Sequence, residues 1–139
     1  MAGFLHRSAM GASAEYGATT SLHMAAAHGW LEELTMLLQQ GADPNEVDTK
    51  SYTPLHAAAV GGAVGSIRLL VQHGAVLDTR DDQGDSALHH AARSCNAGAC
   101  RELIALGAST AARNNVNVTP LVLAAGKDSR GDCVRALIQ

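Results

Sequence analysis

The ten residues TPLHAAAVGG, Thr53 to Gly62, open as a helix start and close as a turn. Similar phrases begin at Thr20 (TSLHMAA), Ser86 (SALHHAA) and Thr119 (TPLVLAA), so that four copies stand 33 residues apart without a gap. A second phrase keeps the same step: LLQQGA from Leu37, LVQHGA from Leu70 and LIALGA from Leu103. Two phrases locked in one register mark an array of stacked units, each too small to bury its own apolar face and each supplying core to its neighbours.

The residue types explain the phrases. Thr20, Thr53, Ser86 and Thr119 can each place a side-chain oxygen on the free N–H groups of a first helix, and Pro54 and Pro120 fall in the first turn, where a missing N–H costs nothing. Leu22, Leu55, Leu88 and Leu121 are expected to point inward, each contributing about 1.5–3 kcal/mol if fully buried. The Ala pairs that follow leave room for a partner helix and for the next unit, where larger residues would overpack. Gly29 and Gly62 supply a left-handed residue that ends the first helix. Cys95 and Asp128 stand where the other two units need that glycine, with Gly98 and Gly131 three residues later, which predicts a reshaped loop in both. Leu34, Leu37 and Leu38, then Ile67, Leu70 and Val71, line one face of a second helix. Cys100 and Cys133 fall where Leu34 and Ile67 stand and read as small buried hydrophobes. Gly41, Gly74 and Gly107 cap the second helices and release the chain into hairpin-like turns.

With Thr-Pro-Leu-His, the Ala pair, the later Leu-Leu and Gly41-Ala-Asp43 all in place, the chain resembles the ankyrin-repeat family over residues 17–139. The resemblance implies an all-α solenoid of about four helix-turn-helix units joined by hairpin-like turns that project as fingers. Its units would be residues 17–49, 50–82 and 83–115, with 116–139 a truncated or capping fourth. Residues 1–16 are expected to be a degenerate N-terminal cap or the remnant of an earlier unit, because Phe4-Leu5-His6-Arg7-Ser8-Ala9 falls where Leu-Leu-x-x-Gly-Ala belongs. The resemblance also implies that His23, His56 and His89, at one offset in three units, tie each helix start to the neighbouring turn.

Bulk properties narrow the function. At 139 residues with 47% apolar content, the chain can bury a core. Its apolar runs are too short to cross a bilayer and Met1 to Met10 shows no signal-peptide pattern, so a cytoplasmic or otherwise intracellular location is expected. A net charge of −3 argues against nucleic acid as a partner. Three cysteines lack paired zinc spacing and suit free thiols. The other histidines, His6, His28, His73 and His90, show no ligand spacing, and no nucleophile elbow, phosphate loop or dinucleotide fingerprint is present. Catalysis, metal and cofactor are therefore not expected. The acidic stretch Asp78 to Asp85 lacks the ligand order of a calcium loop and falls in register as a finger.

The resemblance implies binding of a protein partner, by a monomer, through finger tips and the concave inner-helix surface. Carried onto this chain, the contact positions are Tyr16, Thr19, Met24, His28, Trp30, Lys50, Tyr52, Asp82, Gln83, Asp85, His90, Arg93, Val116, Val118 and Lys127. Their character runs from aromatic through acidic to apolar, which suits a partner bringing a basic segment to Asp82 and Asp85. A scaffold or adaptor is the leading expectation. The alternative is a substrate-recruiting or regulatory arm of a larger enzyme complex.

Overall fold

The computed structural model describes residues 20–127 and 131–138, and the N-terminal segment through residue 19 lies outside them. The described residues form helices and turns only. The helices are α1 (Ser21–His28), α2 (Leu31–Gln39), α3 (Pro54–Gly61), α4 (Val64–Gln72), α5 (Ala87–Arg93), α6 (Ala97–Ala105), α7 (Pro120–Lys127) and α8 (Asp132–Ile138). Each odd-numbered helix pairs with the even-numbered one after it, giving four helical hairpins. The odd helices stack on one another in one layer and the even helices in a second, as the register predicts. None of these helices is long and apolar enough to cross a membrane.

Local chemistry sets the helix starts. The side chains of Thr20, Thr53 and Ser86 accept the N–H of His23, His56 and His89, and Pro54 and Pro120 open α3 and α7. The core lies between the layers. Leu22, Leu55 and Leu88 are at most 2% exposed, and Ala25, Ala26, Ala58, Ala59, Ala91 and Ala92 are fully buried. Leu121 departs from the expectation at 37% exposed. Each of its counterparts is followed by a further hairpin, and Leu121 belongs to the last described one.

Small residues set how closely hairpins approach. A Cβ added to Gly61 would lie 2.0 Å from the carbonyl oxygen of Ala27 in the hairpin before it. Cys100 and Cys133 are buried at 0% and 1%. Burial pushes the Cys100 thiol up to about 12, and Cys133 beside it acts in the same sense, so this sulfur stays a protonated packing group.

The expected reshaping of the third loop is corrected. Gly29 and Gly62 end their helices at φ 71° and 69°, and Cys95 holds the same left-handed position at φ 58°. Its N–H bonds the Ala92 carbonyl at 3.1 Å and the Asn96 N–H bonds that of Ala91 at 2.9 Å, as Gly62 and Ala63 bond Ala59 and Ala58 at 3.2 and 2.9 Å. The loop is kept and a side chain bears the strain. Gly98 lies inside α6, and Asp128, the fourth unit's counterpart, lies outside the described residues. Opposite effects follow for two substitutions. Gly61→Ala is expected to cost about 1–3 kcal/mol through overpacking, and Cys95→Gly to gain up to about 1 kcal/mol by relieving a left-handed side chain. Urea denaturation of both variants checks the two signs.

Candidate functional site

The fingers are built from one polar residue used twice. In the fingers that lead into the second, third and fourth helical hairpins the N–H of Asp48, Asp81 and Asn114 bonds the carbonyl of Tyr52, Asp85 and Val118. The side-chain Oδ1 of the same residues accepts two more N–H groups, from Lys50 and Tyr52, from Gln83 and Asp85, and from Val116 and Val118, all within 3.1 Å. The turn closes through Ser51, Gly84 and Asn117, all at positive φ. Neighbouring fingers join by backbone bonds of 2.9 Å from the Asp82 N–H to the Lys50 carbonyl and from the Asn115 N–H to that of Gln83. In sequence Asp81 reads only as one of the acidic residues of its finger, and Asp48 and Asn114 carry no such mark. Their 33-residue spacing was the available signal.

Three histidines fasten the fingers to the helices. Their Nε2 atoms lie 2.7, 2.9 and 2.8 Å from the carbonyl oxygens of Tyr52, Asp85 and Val118, each 29 residues ahead of its histidine. A carbonyl can only accept, so Nε2 carries the proton, and the Nδ1 atoms of His56 and His89 are free to accept the N–H of Thr53 and Ser86 at 3.0 and 3.1 Å. Burial lowers the pKa of both rings.

The groove beside the fingers is a hydrogen-bonded knot. Asp85 is 2% exposed, which corrects its expected place on the contact surface. Its carboxylate meets Arg93 at 2.9 Å and accepts from Asn114 Nδ2 at 2.9 Å. Asp81 Oδ2 lies 2.8 Å from His90 Nε2. Burial pushes the Asp81 carboxyl up, but the His90 contact and the N–H of Asp85 outweigh it and hold it below its ordinary value. Tyr52 is half-buried rather than an open anchor. Its ring stacks on His56 at 5.4 Å and meets the His90 ring edge-on at 5.5 Å. Its hydroxyl is pushed up to about 12 by burial first, then by Asp48 and Asp81.

His56, Asp81 and His90 offer ligand atoms within 4.8 Å of one another, a convergence the sequence reading missed because the residues come from three elements. Both His56 nitrogens are already committed, Nδ1 as acceptor from Thr53 and Nε2 as donor to Asp85. The cluster therefore has no third lone pair to give a metal ion.

The remaining expected contacts divide by exposure. Lys50, Asp82, Gln83, His28 and Lys127 are exposed, and Val116 is 75% exposed. Met24, Trp30, His90, Arg93 and Val118 are half-buried, with Trp30 stacked on His28 at 4.7 Å and the Val118 carbonyl bound to His89. Tyr16 and Thr19 lie outside the described residues. Among the described residues the exposed tips converge along one ladder of joined fingers, whereas the acidic pair divides into an exposed Asp82 and a buried Asp85.

A family model for ankyrin repeats, in three copies, matches residues 5–81, 22–114 and 77–139. No curated protein matches the chain.

The lowered pKa values of His56 and His89 set a sign. The unfolded chain takes up protons near the ordinary value of 6.5 that the folded chain refuses, so these rings contribute stability above 6.5 that is lost as pH falls through their folded-state values. Ring carbon shifts of both histidines should titrate below 6.5 in the folded protein, and the thermal midpoint should decline as pH falls below that ordinary value. Titration at or above the ordinary value would contradict the burial argument.

Proposed function

From the premise that the chain belongs to the ankyrin-repeat family, we propose that it is a protein-interaction scaffold or adaptor that docks a partner and performs no bond chemistry. Ankyrin repeats are in general protein–protein interaction modules. The observation that carries the reading is the contrast along each finger. The residues that repeat every 33 positions are buried or hydrogen-bonded, while Lys50, Asp82, Gln83 and Val116 vary and stand exposed on a joined backbone ladder. A surface already ordered by its own hydrogen bonds loses little entropy when a partner binds.

The contact is centred on Lys50, Asp82 and Gln83, with Tyr52 and His90 forming its floor and Val116 and Val118 its apolar end. Asp82 is the acidic group that a basic segment of the partner would meet, because Asp85 is consumed by Arg93 and Asn114. In this reading residues 1–16 are a degenerate N-terminal cap or the remnant of an earlier unit, and the family match begins at residue 5.

Affinity capture with the wild-type chain and with a K50E/D82K/V116D variant tests the reading. Captured proteins lost from the variant are the expected partners, and binding of such a purified partner should weaken at least tenfold. Identical capture by both chains would end the assignment of this surface. A paired control separates surface from core. Asp82→Lys should leave the thermal midpoint unchanged, whereas Asp85→Lys should cost about 3–5 kcal/mol by putting a buried cation beside Arg93 where a carboxylate stood.

A further inference from the structure

The ladder of joined fingers has a pitch. Within each finger two backbone limbs are bonded to one another, Asp48 to Tyr52, Asp81 to Asp85 and Asn114 to Val118, and between fingers Asp82 bonds Lys50 and Asn115 bonds Gln83. Limbs joined by backbone hydrogen bonds stand about 4.8 Å apart. Two limbs make a finger, so equivalent tip residues recur about every 10 Å. Lys50, Gln83 and Val116 are such equivalents, 33 residues apart in sequence and all exposed. Asp82 opens the limb next to Lys50 and stands about 5 Å further along the ladder.

Those intervals select the backbone of whatever lies along the tips. An α-helix rises about 5.4 Å per turn and about 10.5 Å in seven residues. It therefore offers one turn to each limb and two to each finger, with the same face toward the ladder throughout. An extended strand covers about 10 Å in three residues, and residues three apart point to opposite sides. A polyproline helix does return to the same face after three residues and about 9.3 Å, but aromatic-lined grooves are what hold it. Here Tyr52 stacks on the His56 ring at 5.4 Å, faces the His23 ring at 6.3 Å and meets His90 edge-on at 5.5 Å, so its ring is not an open slot.

The charges give the order. A helix over the tips meets Lys50 first, Asp82 one turn later, Gln83 at the second turn and Val116 two turns beyond that. Its complementary residues are an acid, a base at the fourth position after it, a hydrogen-bonding residue at the seventh and an apolar one at the fourteenth. Acid four residues before base is also the order that supports a helix. The partner's N-terminal end accordingly lies over Lys50.

We infer that the partner's docking element is an α-helix lying along the finger tips from Lys50 to Val116, in a register of seven residues per finger. The inference rests on the finger surface assigned above and adds the conformation, charge order and direction of what that surface holds.

Two pools of displayed peptides, selected together on the folded 139-residue chain and counter-selected on K50E/D82K/V116D, test this. One pool varies the four positions just described on an alanine-rich helical frame, and the other varies every third position on a proline-rich frame. Enriched clones are expected from the helical pool, with Asp or Glu first, Lys or Arg one turn later and an apolar residue at the fourteenth position after the acid. Such a clone, made as a free peptide, should bind Lys50→Glu at least tenfold more weakly, and exchanging its leading acid for Lys should restore the loss. That restoration could not come from a folding defect. Enrichment confined to the proline-rich pool, helical clones without that order of charges, or a Lys50→Glu loss that the exchange leaves in place would overturn the inference while keeping the finger surface. Clones that bind the wild type and K50E/D82K/V116D alike, or no enrichment from either pool, would remove the surface itself and the inference with it.

Discussion

The structure depends on one bond repeated three times: a buried imidazole at a helix start that donates to a finger carbonyl 29 residues ahead. The same ring, through Nδ1, meets the hydroxyl of the residue that caps its own helix, at 2.8, 2.7 and 2.9 Å. One side chain thus fixes where a helix begins and where the next finger stands. Glutamate is the usual partner in such a capping box, but a carboxylate has no proton to give the carbonyl. A neutral imidazole accepts at one edge and donates at the other.

Around that bond the packing is made of small residues. Fully buried alanines and Gly61 bring backbones close enough that stacking rather than bulky side chains fills the space. The arrangement tolerates strain at single points. Cys95 occupies a left-handed position that glycine holds in two earlier units, because the hydrogen bonds of that turn and the packing on either side leave the backbone no other path.

The groove shows how tertiary contacts redistribute charge. Asp81, Asp82 and Asp85 read along the chain as one acidic finger, yet they do three different jobs. Asp81 holds a turn and meets His90, Asp85 is buried against Arg93 and Asn114, and Asp82 alone is open to solvent. The charge a partner would meet is accordingly much smaller than the composition of the finger suggests.

The sequence by itself determined the repeat length, the helix starts, the Ala and Leu core and the common position of three histidines, because each of these follows from local geometry and a fixed period. Only the tertiary structure decided which polar residues remain available. Tyr52 and Asp85 share one finger position two residues after the exposed Lys50 and Gln83, and they are covered by His56 and His90 in one case and Arg93 and Asn114 in the other, contacts that the finger's own sequence does not encode. The fate of Leu121 was equally hidden. Its residue type matches Leu22, Leu55 and Leu88, but burial of a stacked face is supplied by the unit that follows, and so it is a property of position in the array rather than of the residue.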